Sequence, residues 1–216
     1  MSKLKLFVVS FLSVVILTVN PLLAQTDDYH VIPKQNRNPI QKGDMLVDVF
    51  YGGPYLLGLV TKLVYDSLKQ QGNEVLNFHN YNQFGAKFQY MLNEKIDIGL
   101  EYTHALATFD YVGNNSILYT AGVRKQRVLG KINIHFATSP KVDPYLTFGA
   151  GFNSSKLYTN EPGTSSIDLQ NTSILFAPIS FRAGIGLRYF FTPQFGINAE
   201  IGLGGPLMQG GISFKF

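Results

Sequence analysis

Ten ionisable residues in this chain stand where ionisable residues are costly. Asp48, Lys87, Asp97, Glu101, Lys131, His135, Arg182, Arg188, Glu200 and Lys215 are each flanked on both sides by aliphatic, aromatic or glycine neighbours. Such a set could pair off into a network of buried ions, or it could line a narrow path for protons or small solutes. Buried charge is tolerated only when it is paired, and both signs are present here, so the mixture favours the network. His135 falls on the same side of its segment as these residues and within expected reach of Asp97. A second constellation is His104 with Asp110 and Ser116, preceded by His79. A histidine with a serine and an acid is the equipment of acyl transfer. The spacing matches no catalytic motif, however, and no His-x-Ser pair occurs anywhere. Asp27, Asp28 and His30 could ligate a metal, but they lie in a stretch without periodicity. We therefore assign no catalytic, cofactor or metal residue from the sequence.

The elements that must position these residues are strands. From Gly43 to the end, apolar and polar residues alternate with a period of two. The pattern predicts strands at about 44–53, 81–92, 96–107, 117–137, 144–155, 174–191 and 195–203, with an eighth ending the chain. Along each strand one face is apolar, as with Ile96, Ile98, Leu100 and Tyr102, and the other is polar, as with Asp97, Gly99, Glu101 and Thr103. In the fourth strand the apolar residues change phase, which predicts a β-bulge within Arg124–Arg127.

An apolar outside and a charged inside reverse the polarity of a water-soluble barrel, and eight is an even count. The expected fold is all-β, an eight-stranded antiparallel up-and-down transmembrane β-barrel. Its bore should be just wide enough for side chains to fill. Leu59, Leu63, Val64 and Leu68 recur at helical spacing before Gly72 and predict one short helix at about 56–70 in the first outer loop, capping the mouth or lying on the membrane surface.

Registers follow from the parity of the faces. They set Leu92 opposite Ile96, Lys87 opposite Glu101, Phe191 opposite Phe195, and Arg188 opposite Asn198 and diagonal to Glu200. At the C-terminus they set Leu203 opposite Met208 and Phe195 opposite Phe216. By the same parity His104 points outward, where a polar tip at a lipid interface is more ordinary than a catalytic base.

Composition agrees. The 216 residues are 45% hydrophobic, with 17 Phe, 12 Tyr and no Trp, and the mean hydropathy is only +0.06. The absence of cysteine excludes disulfides, thiolate metal sites and a lipid anchor on cysteine. The glycine-rich stretches at 149–151 and 202–205 lack the following helix and Lys or Ser/Thr of a phosphate loop. No basic-aromatic groove for nucleic acid is apparent.

Lys3 and Lys5, the apolar run 6–19 and the small residue Ala24 predict a secretory signal peptide over 1–24. Asn20 and Pro21 stop that run short of the roughly 20 residues a spanning helix needs. Losing the two lysines would lower the net charge from +4 to +2, so the basic pI says little about an anionic partner. Residues 25–43 are then expected as a periplasmic extension and 44–216 as the barrel domain.

The last strand resembles the terminal signal by which Gram-negative outer-membrane barrels are recognised, carried here by Gly211, Ile212, Phe214 and Phe216. Tyr51-Gly52-Gly53-Pro54-Tyr55, the segments 94–99 and 144–152, and Phe191-Thr192-Pro193-Gln194-Phe195-Gly196 extend the likeness. The mature chain resembles the small outer-membrane β-barrel proteins common in Bacteroidetes, within the wider group of eight-stranded adhesin/invasin-type barrels. The missing Trp and the long fourth strand depart from that pattern. The resemblance implies a monomeric barrel in the cell outer membrane with both termini periplasmic. It implies outer-membrane lipid, lipopolysaccharide and the barrel assembly machinery as partners, and no cofactor or shared catalytic residues. The role expected is envelope-structural or surface-interacting. An enzyme acting on lipopolysaccharide acyl chains and a narrow small-solute pore are the alternatives.

Overall fold

The computed structural model describes residues 39–71, 74–113, 117–136, 139–160, 167–168 and 178–216. The expected leader and most of the 25–43 extension lie outside them. The elements run β1 (Met45–Gly53), α1 (Leu56–Gln70), β2 (Val75–Asn93), β3 (Ile96–Val112), β4 (Leu118–His135), β5 (Val142–Thr159), β6 (Ile179–Phe190), β7 (Phe195–Leu203) and β8 (Met208–Lys215). A two-residue strand, Ile167–Asp168, lies against β5. Each long strand pairs antiparallel with the next, and β8 pairs with β1. The sheet therefore closes into an eight-stranded barrel, with no free edge where all eight strands are present.

The alternation sorts side chains as an inverted globule. Leu203 is 73% exposed and Phe152 72%, whereas Lys87 and Glu200 are each 1% exposed and Arg188 is fully buried. An apolar surface of this extent is unstable in water and needs hydrocarbon around it. No described helix is long and apolar enough to cross a membrane, so strands make the crossing.

The wall is lopsided. β2 to β5 are 17 to 19 residues long, whereas β1, β7 and β8 have only 8 or 9. The tall strands rise past the short ones at the end of the barrel that carries α1. There α1 lies against the inner face of the tall wall. The ring of Tyr65 packs on Phe78 and Phe109 at 5.7 and 6.2 Å, and Tyr55 joins Ala105 and Val123 in a buried cluster. Capping by packing is thus how the helix sits, with Leu56, Leu59 and Leu63 left exposed on its other side.

Three expectations need correcting. The β-bulge does not fall in β4, whose registers with β3 and β5 run without a shift. Tyr119, Ala121 and Val123 continue the inward face of Arg127 and Lys131, and it is the surroundings that change. Above the apolar belt the outer face meets water and carries Arg124 and Gln126, while the inner face packs under α1 and turns apolar. The bulges lie in β2 instead, at Leu76/Phe78, Asn80/Gln83 and Met91/Asn93. Two of them hold the left-handed residues Asn77 and Asn82, a conformation asparagine tolerates.

The third of these bulges also displaces the turn: Asn93, not Leu92, faces Ile96. Its side-chain oxygen accepts hydrogen bonds from the amides of Lys95 and Ile96 at 2.8 and 3.0 Å. Finally, the C-terminal register is two residues from that expected: Ile201 faces Met208 and Phe195 faces Phe214. Pairing of β7 with β8 stops early because Gly204 takes a positive φ and Leu207 folds back to accept from Gly202. Phe214 thereby completes an aromatic row, Tyr189–Phe191–Phe195–Phe214, with centroids 5.2 to 6.0 Å apart. Phe216 pairs with Met45 of β1.

The described end of the N-terminal extension is packed. Ile40 is fully buried with Leu46, Met91 and Phe190 at the end of the bore where β1 begins and β8 ends. Truncating Ile40 to alanine should cost about 2 to 4 kcal/mol, read as a lower urea midpoint for the barrel refolded in lipid vesicles. An unchanged midpoint would show that this contact adds no stability.

Candidate functional site in the barrel bore

Inward side chains stack in layers above Ile40. The lowest charged layer centres on Arg188 of β6, which donates from Nη1 to Asp143 and from Nη2 to Asp48, both at 2.9 Å. Its Nη2 also reaches Gln89 Oε1 at 2.9 Å, and its Nε reaches Ser213 at 3.2 Å. The guanidinium lies 5.1 Å from the centre of the Tyr145 ring, which has room only because residue 186 is glycine; a Cβ there would strike the ring. Beside it, His135 stands between two carboxylates, Nδ1 at 2.8 Å from Asp143 and Nε2 at 2.9 Å from Asp97. A ring so placed donates from both nitrogens only as an imidazolium. Asn133 donates to Asp97 at 2.9 Å from the same strand face.

The upper layer centres on two carboxylates. Glu200 accepts Lys87 at 2.6 Å and Arg182 Nε at 2.6 Å, with Lys131 at 3.6 Å. Glu101 takes Arg127 Nη2 at 2.8 Å and Lys131 at 3.1 Å. Tyr145 donates toward Glu200 at 3.4 Å and so links the two layers.

Nine of the ten sequence-assigned residues lie in these layers. Lys215 stands apart at the rim, half-buried, donating to the Pro39 carbonyl at 2.6 Å and pairing with Asp44 at 3.4 Å. Partner choice departs from register in two places. Lys87 does lie opposite Glu101, but its ammonium crosses the bore to Glu200. Arg188 lies opposite Asn198 on one side and Asp143 on the other; it pairs with Asp143 in register and crosses to Asp48 rather than to Glu200. Sequence reasoning missed Arg127, hidden by the misplaced bulge, and Asp143, one residue before the expected fifth strand. Unbroken parity from Lys131 and from Tyr145 would have found both.

The other candidates are scattered. His104 points outward on β3, its ring 5.1 Å from that of Phe84. Asp110 accepts from Thr120 at 2.8 Å, and His79 stacks on Tyr81 at 6.1 Å. Among the described residues no hydrogen bond joins His104 to Asp110, and Ser116 lies outside those residues. The described residues hold no metal-ligand cluster; Asp27, Asp28 and His30 are not among them.

Comparison with known proteins adds the following. Residues 51–205 match the family model described as the outer membrane protein beta-barrel domain. Among solved structures the chain is similar to the N-terminal β-barrel domain of Pseudomonas aeruginosa OprF, at 14% identity over 82% of this chain and 100% of that one, TM-score 0.48. It is also similar to Ail, the attachment invasion locus protein of Yersinia pestis, at 14% identity over 81% and 99%, TM-score 0.45. Pseudomonas aeruginosa OprG gives 11% identity over 82% and 97%, TM-score 0.42. No curated protein matches the sequence.

The upper layer makes a quantitative demand. Replacing Glu200 by glutamine strands Lys87 and Arg182 in a dry bore and should cost about 3 to 5 kcal/mol. Adding Lys87→Met should restore part of that loss. Additive losses in urea unfolding of the single and double variants would show that the two side chains do not interact.

Proposed function

Because the chain belongs to the outer membrane protein β-barrel family, we propose that it serves the cell outer membrane as a structural or surface-interacting barrel whose bore is closed by its own charges. That it is an integral barrel of this membrane follows from the family; the closed bore and the role are our reading. The observation that carries the reading is the pair of buried ion contacts reaching across the barrel, from Arg188 to Asp48 and from Lys87 to Glu200. Opening a path would require breaking ion pairs that have no water to replace them. Eight strands leave little width around the side chains.

In this reading the chain is not an enzyme. Support comes from the outward setting of His104 and from the lack, among the described residues, of a hydrogen bond between it and Asp110. Both termini face the periplasm, the end with the tight turns at Asn93–Ile96 and Phe191–Phe195, and α1 faces outward. Outer-membrane lipid and lipopolysaccharide surround the apolar belt. The assembly machinery would read Gly211, Ile212, Phe214 and Phe216, and the barrel acts as a monomer.

Planar-bilayer recordings of the purified protein should show no discrete conductance; steady unitary steps would establish the pore instead. Mass spectrometry of lipid A should give the same acylation pattern with and without His104→Ala and His79→Ala. A changed pattern would establish the enzyme. Protease added to intact cells should cut a site inserted in the α1 loop and spare one appended after Phe216, with the reverse pattern inverting the topology.

A further inference from the structure

The charges of the bore are not evenly distributed along it. The lower layer is acid-rich: Asp48, Asp97 and Asp143 surround Arg188 and His135. The upper layer is base-rich, with Lys87, Lys131, Arg127 and Arg182 sharing only Glu101 and Glu200. Above it a cavity of about 350 Å³ opens under α1, lined by Tyr55, Gln83, Thr103, Lys125, Arg127 and Gly205 among others. Among the described residues no carboxylate lines that cavity.

Arg127 lines this cavity, and the guanidinium of Arg182, bound to Glu200, lies beside that of Arg127. A Cβ built on Gly205 would touch both Arg182 and Arg127. Arg127 uses one terminal nitrogen on Glu101 and the other on the Gly204 carbonyl, which leaves its buried Nε without a partner. Arg127 is only 4% exposed. Adjacent like charges in a site of low polarity repel strongly. An oxyanion seated against Arg127 would relieve that repulsion, and arginine's planar fork suits phosphate or sulfate oxygens.

We propose that the cavity beneath α1 is a binding site for a small oxyanion group of the phosphate or sulfate class, held by Arg127 and Lys125 above a closed floor. The ligand enters from the α1 side and stops there, because the lower ion cluster lies across its way. Glycine at 205 is what lets the two guanidinium groups lie against the cavity wall.

The test uses the full chain refolded in uncharged detergent micelles and titrated with inorganic phosphate by calorimetry, with chloride holding ionic strength constant. Saturable binding is expected, weakened about tenfold or more by Arg127→Gln and by Lys125→Gln, as loss of a charge-assisted contact implies. Gly205→Ala should weaken it as well, because the added Cβ would push the guanidinium groups out of place. Lys125 makes none of the bore's ion pairs, so its variant decides the matter if Arg127→Gln does not refold. Short-chain phosphatidic acid supplies the same phosphate on a lipid. If it binds and inorganic phosphate does not, the occupant is a lipid headgroup; binding of inorganic phosphate alone makes it a free solute. No saturable binding by either, or binding equal in wild type and Lys125→Gln, overturns the proposal.

Discussion

A carboxylate inside an eight-stranded barrel has almost no water to turn to, so it stays ionised only where a cation reaches it. Much else in this molecule follows from that constraint. Arg188 on β6 is held by Asp48 on β1 and Asp143 on β5, and Glu200 on β7 by Lys87 on β2 and Arg182 on β6. The Arg188–Asp48 and Lys87–Glu200 contacts tie together strands that are not neighbours in the sheet, while the Asp143 and Arg182 contacts join adjacent strands. Backbone pairing closes the wall, while the ion clusters decide how the space inside it is filled. Replacing such clusters by packed apolar groups is often neutral or stabilising in other proteins. Their value here lies in specifying one arrangement of the bore.

The second organising fact is the difference in strand length. Where all eight strands are present, the wall separates hydrocarbon from charge. Where, among the described residues, only β2 to β5 continue, the outside meets water and the inside packs on α1. The polarity of each face reverses there while the strand itself runs on unbroken. Tyr119, Ala121 and Val123 share a face with Arg127 and Lys131 on one regular strand, and only their surroundings differ. The same geometry sets α1 above the base-rich end of the bore and leaves a cavity between them.

The barrel was legible in the chain because period-two alternation is a local signal, and membrane strands display it with little interference. β7, with Phe195, Ile197, Ala199, Ile201 and Leu203 on one face, and α1 over 56–70 could be placed from spacing alone. The bulges were not legible. Asn77 and Asn82 carry no apolar phase change strong enough to betray a slip, whereas β4 shows such a change for another reason. The C-terminal register depended on where Gly204 and Leu207 turn the chain, a choice that residue types leave open.

What the chain determined by itself is the sorting: which residues face inward, that charges of both signs gather there, and that the outside is apolar. These follow from the two-residue repeat of an extended backbone. What only the tertiary structure decided is who meets whom. Lys87 lies beside Glu101 in register and binds Glu200 across the bore; His135 gains Asp143 as well as Asp97; Ile40 leaves a polar segment to pack at the barrel's end. Register relates neighbouring strands, but the interior of a closed barrel brings all eight within a side chain's reach. The partner of a buried charge is therefore settled by the cross-section of the bore, which local periodicity does not encode.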